Sequence, residues 1–148
     1  YHTYLDVLAP LKRYPRYAVQ GDISNCNLFQ TLSGQIGIFD FNRCGDNNLF
    51  CDVVMQAVFE ARLMDYPDGA GDEIRPEILS AFLRGYRSIR DFPEEQQTWY
   101  LYLYAIINAF CSADIRWSSD SLTNAVKRGD MRRAKKWLES IWQHLAIK

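Results

Sequence analysis

Between Asn27 and Asp40 the chain is punctuated as a β-hairpin. Leu28-Phe29 run out, Ser33-Gly34-Gln35 make the tip, and Ile36-Gly37-Ile38-Phe39 return. That pairing constrains more than its own two strands. It carries Asp40, thirteen residues after Asn27, back beside Asn27 and beside Asp22 in the turn just before it. One carboxylate to orient a hydroxyl, with an amide oxygen and a second carboxylate for Mg²⁺, is the minimum set for phosphoryl transfer. An aspartate in a Gly-Asp turn is by itself ordinary turn chemistry. Asp22, Asn27, the hairpin and Asp40 together read as a site.

The pattern Gly21-Asp22-x-x-x-x-Asn27, followed by Ile38-x-Asp40-Phe41, resembles the aminoglycoside phosphotransferase and choline kinase superfamily. The signature of those small-molecule relatives of protein kinases is written HGDxxxxN…IDF. Gly45-Asp46, Phe50-Cys51-Asp52-Val53-Val54 and the run Phe82-Leu83-Arg84-Gly85-Tyr86, similar to the family's FLxGY segment, extend the resemblance over about residues 17–86. It implies an ATP-dependent phosphotransferase moving the γ-phosphate to a small-molecule hydroxyl. Asp22 would then be the catalytic aspartate that takes or orients the acceptor's proton. Asn27 and Asp40 would hold Mg²⁺ against the phosphates of ATP, Asp40 as the main metal carboxylate. Cys26 is not expected to coordinate, since magnesium takes oxygen ligands.

Two departures bear on that expectation. Gln20 stands where the family has a histidine that braces the metal-binding strand; glutamine offers a donor and an acceptor for the same task. Second, only about twenty residues precede Asp22, with no Gly-rich loop, and Lys12 lies in LKRYPRY, which reads as a linker into a strand. The expected fold is therefore mainly α with a small β-hairpin, a single domain over 1–148. It would be the C-terminal lobe of a kinase-like protein whose N-terminal nucleotide lobe is missing, and inactive alone. A pseudokinase, or an interaction protein retaining the lobe, is the alternative, favoured by Gln20. A chance pattern on an unrelated helical binding domain is the third reading.

Composition agrees with one packed core: 148 residues, 48% hydrophobic and 14% aromatic. A net charge of −1 leaves no footprint for nucleic acid. The cluster from Lys127 to Lys136 reads as a solvated helix face. No run reaches the ~18 apolar residues of a membrane span, and no signal peptide is recognisable. Cys26, Cys44, Cys51 and Cys111 form no CxxC pair, which argues against zinc and for reduced thiols in a cytoplasmic protein. His2 and His144, near the two ends, are expected to be structural.

After Asp40, residues 42–48 read as a loop rich in Asn, Gly and Asp. Apolar periodicity then predicts helices over about 49–64, 76–90, 93–115, 121–127 and 131–146. The first would bury Val53, Ala57 and Ala61. The second would present Ile78, Leu79, Phe82, Leu83 and Tyr86. The third, with Trp99, Leu103, Ile106, Ile107 and Phe110 on one stripe and Tyr100, Tyr102 and Tyr104 around it, should be central. Asp120 and Asp130 are the expected caps of the last two.

In the resembled family the helical lobe forms the acceptor cleft. Asp46, Glu60, Asp65 and Glu73 would suit a cationic acceptor if they lined it, though Asp46 reads first as a loop residue. Asp52 reads as a brace for the catalytic loop. Trp99, Tyr100, Tyr104 and Trp117 read as core before they read as an acceptor cage. FLxGY and the short loop after Asp40 lean towards the homoserine kinase-like branch. The face left bare by a missing lobe predicts a homodimer, through that face or through residues 1–17.

Overall fold

Asn48 starts the helix on which the rest of the chain packs. Its side-chain Oδ1 accepts from the backbone N–H groups of Phe50 at 2.9 Å and Cys51 at 3.2 Å, satisfying two donors that a helix start leaves open. The computed structural model describes residues 2–63, 74–113 and 121–145. Helix α1 covers His2–Leu8 and runs into a 3₁₀ turn, Ala9–Arg13. The strands are β1 (Tyr17–Val19), β2 (Leu28–Gln30), β3 (Ile36–Ile38) and β4 (Gly45–Asn47). Then follow α2 (Leu49–Leu63), α3 (Pro76–Arg87), α4 (Glu94–Ala113), α5 (Leu122–Lys127) and α6 (Met131–Leu145). The described chain is thus mainly helical with two small antiparallel sheets.

The expected hairpin is present. β2 and β3 pair in the register Leu28↔Ile38, Phe29↔Gly37 and Gln30↔Ile36. The tip is closed by the Thr31 N–H donating to the Gln35 carbonyl at 2.8 Å, with Gly34 at φ +83°, a conformation glycine reaches without strain. The second sheet was not foreseen. β1 pairs with β4 as Tyr17↔Asn47, Ala18↔Asp46 and Val19↔Gly45. Residues 42–48 are therefore not all loop, and Asp46 is a strand residue ion-paired to Arg16 at 2.9 Å.

Val54, Ala57, Val58 and Ala61 make α2 the most deeply buried helix, packed between α3 and α4. The expected core positions Val53, Ala57 and Ala61 are all buried. α4 packs on α1, α2 and α6, so its all-round apolar character does place it centrally. Phe110 is the exception in its stripe and is exposed. Trp99 is core, edge-on to Tyr14 at a centroid distance of 5.2 Å, and Tyr100 stacks on Tyr104. α3 ends at Arg87 rather than about residue 90, the chain continuing as a turn in which the Arg90 N–H donates to the Tyr86 carbonyl at 3.0 Å and the Ser88 hydroxyl to that of Gly85.

Two details at the termini correct the sequence reading. α1, in a stretch expected to be surface segment and linker, is held by Tyr4, which is buried edge-on to Tyr102 and donates its hydroxyl to the Leu145 carbonyl. α5 has Ser121 as its cap, the Oγ accepting from Asn124 N–H. Asp130 caps α6 as expected, accepting from Arg133 N–H at 3.0 Å. Asp65, Glu73, Trp117 and Asp120 lie outside the described residues, as does any account of the Cys111 side chain.

Candidate functional site

The turn after β1 approaches the segment after β3 so closely that only glycine fits between them. Gly21 has φ +81°, and a Cβ built on it would lie 2.3 Å from the Arg43 carbonyl oxygen. This packing puts the Asp22 turn against the end of the hairpin. Gln20, buried, then ties the two together. Its Oε1 accepts from the Asp22 N–H at 2.7 Å, and its Nε2 donates to the Asp40 carbonyl at 2.7 Å and, more weakly, to that of Phe39 at 3.3 Å. Glutamine can do both because it carries a donor and an acceptor on one planar group.

Asn27 closes the set from the other side. Its Nδ2 donates to the Asp22 carbonyl at 2.9 Å, and its backbone carbonyl accepts from Phe39 N–H at 3.0 Å. The hairpin register and this last bond bring the three expected site residues together, Asp22 and Asn27 in one turn and Asp40 alongside. Asp40 itself has φ +57°, the one non-glycine residue in the left-handed region among those described. Such a conformation costs about 1–3 kcal/mol and gathers at functional sites, though aspartate tolerates it better than most residues.

The donor set suits a hard cation. With the Asn27 amide nitrogen committed to Asp22, its Oδ1 has only the Cys26 thiol, at 3.7 Å, as a partner. Asp40 is exposed, its Oδ1 accepting a long 3.3 Å bond from Asn42 N–H. One amide oxygen and one carboxylate, completed by water and phosphate oxygens, is a magnesium-like arrangement. Among the described residues no three His, Cys, Asp or Glu side chains cluster as a protein-only metal cage.

Beneath the turn a second line of support was only half legible in the sequence. Gln56, on α2, accepts from Ile23 N–H at 3.1 Å and hydrogen-bonds Asp52 through its side chain. Asp52 is buried with one carboxylate oxygen, Oδ1, lacking a protein partner. Burial raises its pKa above the ordinary 3.8, and the Gln56 bond opposes the shift. The expected brace is therefore indirect, passing from Asp52 through Gln56 to the Asp22 turn.

One turn further along α2, Glu60 is also buried, at 6% exposure. Burial raises its pKa above 4.5, a backbone N–H from Asn25 opposes this, and the Asp22 carboxylate adds to it. Glu60 lines a cleft of about 430 Å³ whose walls include Ile23 from the Asp22 turn, Leu28 from the start of β2, and Ile78, Phe82 and Tyr86 from α3. Phe82 and Tyr86 belong to the FLxGY run and also line a neighbouring cleft of about 270 Å³ containing Gln20, Asp52 and Gln56. Asp46, held by Arg16 on β4, lines neither. Of the acids the sequence offered for a cationic acceptor, Glu60 is the described one that lines a cleft.

Compared with known proteins, the chain matches no protein-family model, no curated protein and no solved structure.

Proposed function

We propose that this chain is the catalytic and acceptor-binding lobe of a kinase-like, Mg²⁺- and ATP-dependent phosphotransferase acting on a small-molecule hydroxyl. The observation that carries the reading is the Gln20 side chain, bonded at once to the Asp22 N–H and the Asp40 carbonyl. It performs the bracing that the resembled family assigns to histidine, which weighs against a pseudoenzyme.

In this mechanism Asp22 holds the acceptor hydroxyl and takes its proton as the oxygen attacks. A general base of this kind contributes about 10²–10⁴-fold. Asn27 and Asp40 present the oxygens that hold the metal, and the bonds of Gln20 and Asn27 fix the backbone carrying all three groups. Bound Mg²⁺–ATP supplies the transferable phosphoryl group and neutralises the charge that develops on it. The described residues include no phosphate-covering loop, and their Lys135–Glu139 ion pair lies within α6 rather than between a strand and a helix, so a nucleotide lobe contributed by further sequence belongs to the proposal. The exposed apolar residues of the hairpin are the surface it would cover.

The test is ATP turnover by the protein in its full natural length, with Mg²⁺ and a panel of amino alcohols, aminoglycosides, hydroxy-amino acids and sugars. Turnover with one class, nearly silenced in Asp22→Ala and Asp40→Ala, supports the proposal. Undiminished turnover in those variants, or none with any acceptor, overturns it.

A further inference from the structure

Helix α6 buries one flank and leaves a second apolar flank in water. Trp137, Ile141 and Leu145 pack on Ala109 of α4. Met131, Leu138 and Trp142 follow one another at spacings of seven and four and so line a neighbouring flank of the same helix. They are 72%, 57% and 76% exposed. At the α-helical rise of 1.5 Å per residue the row is about 16 Å long. Hydrophobic residues scattered singly over a surface are ordinary, but a row of three large ones marks a contact face.

The charge around this row is one-sided. Residues 127–139 hold six Lys and Arg side chains against Asp130 and Glu139, in a chain whose net charge is −1. Lys135 falls on the same flank as the row, with Arg132 and Lys136 beside it, all three exposed. The two acids are engaged locally. Asp130 caps α6 by accepting from the Arg133 N–H at 3.0 Å, and Glu139 stands 3.9 Å from the Lys135 ammonium. An apolar row bordered by cations is the pattern of a helix lying along a lipid surface, its apolar side chains in the interface and its long basic stems reaching the phosphates.

Other occupants fit less well. A second copy meeting on this flank would set the same positive excess against itself. A partner helix needs a pocket for its apolar anchors, and the groove beside the row, about 590 Å³, is lined by charged side chains alone. A bilayer needs no pocket. It accepts a protruding row, holds an exposed tryptophan at headgroup level and, when anionic, supplies the counter-charge.

We infer that the exposed flank of α6 docks on an anionic phospholipid surface, with Met131, Leu138 and Trp142 entering the interface and Arg132, Lys135 and Lys136 meeting lipid phosphates. At 15 residues α6 is too short to span a hydrocarbon core of ~30 Å, so it lies along the bilayer. The inference does not rest on the phosphotransferase reading.

The test is co-sedimentation of the full chain with vesicles of phosphatidylcholine alone and of phosphatidylcholine mixed with phosphatidylserine. The mixed vesicles should carry the protein down and the neutral ones should not, and added salt should weaken the binding. Lys135→Gln with Lys136→Gln should weaken it about 25-fold, since each basic residue near such a surface contributes about fivefold. Leu138→Gln with Trp142→Gln should weaken it about 10-fold or more, with circular dichroism unchanged because both side chains are exposed. Leu32→Gln, at the exposed hairpin tip, is the control and should change nothing. No sedimentation with mixed vesicles overturns the inference, even where immobilised polyglutamate or DNA retains the protein. Equal sedimentation with neutral vesicles, or binding lost through Leu32→Gln and not through α6, also overturns it. Binding that responds to the lysine pair but not to Leu138→Gln with Trp142→Gln is adsorption by charge alone and overturns the docked row.

Discussion

The Gln20 side chain reaches the Asp40 backbone carbonyl at 2.7 Å and so joins the turn before the hairpin to the strand that ends it. The joint matters because the hairpin alone fixes Asp40 only relative to Asn27. Gln20 adds the third relationship, with Asp22, through its Oε1.

Removing that joint should loosen both ends. Gln20→Ala strands the Asp22 N–H and the Asp40 carbonyl and should cost about 1–3 kcal/mol in urea unfolding. Gln20→Glu, which keeps the acceptor for Asp22 but loses the donor to Asp40, should also destabilise. Equal stability of wild type and both variants would show that the bridge contributes nothing.

Gly21 makes a sharper case. Gly21→Ala forces an L side chain into φ +81° and its Cβ into the Arg43 carbonyl. The loss should be about 2 kcal/mol or more, from backbone strain and steric displacement together. Gly85→Ala, a helical glycine facing open space, is the control and should gain up to about 1 kcal/mol from helix propensity. Thermal denaturation of the pair decides it.

How much of this was readable beforehand divides along the range of the interactions. The hairpin, the cap at Asp130 and the core face of α2 depend on residues close in sequence, and their patterns were legible. The β1–β4 pairing joins segments nearly thirty residues apart through Gly-Asp-Asn, a sequence with no strand propensity of its own. Likewise α1 is a short helix stabilised by Tyr4 packing on Tyr102 and bonding to Leu145, contacts that exist only once α4 and α6 are in place. At the site, Asp22, Asn27 and Asp40 were named from spacing. Glu60 was named only as one of four acids that would suit a cationic acceptor, because what separates it from the others is burial beside a cleft.

Stability should depend on pH through the two buried acids. Burial holds Asp52 and Glu60 above their ordinary 3.8 and 4.5, so the folded chain keeps protons that the unfolded chain has already released. More protons bound in the folded state means stability that is full below those ordinary values and falls as pH rises through the folded ones. Asp52→Asn removes its share of the loss. Its melting temperature relative to wild type should rise across that window and then level off. A difference that is constant with pH would contradict the assignment.

The hairpin leaves Phe29, Leu32, Ile36, Phe39 and Phe41 exposed, and among the described residues its two strands pair only with each other. Such a face favours self-association. Light scattering of this chain should show a dimer at high concentration, and Ile36→Lys should shift it towards monomer. Monomeric behaviour of the wild type throughout would remove the prediction.

The central claim is that Asn27 and Asp40 hold one hard cation beside Asp22, and Mn²⁺ can report it directly as a paramagnetic substitute for Mg²⁺. In an NMR titration with Mn²⁺ and ADP, the account predicts selective broadening of the backbone amides at residues 22, 27 and 39–42, abolished in Asp40→Asn while the fold persists. Broadening centred elsewhere, or at the same amides but untouched by Asp40→Asn, would contradict it.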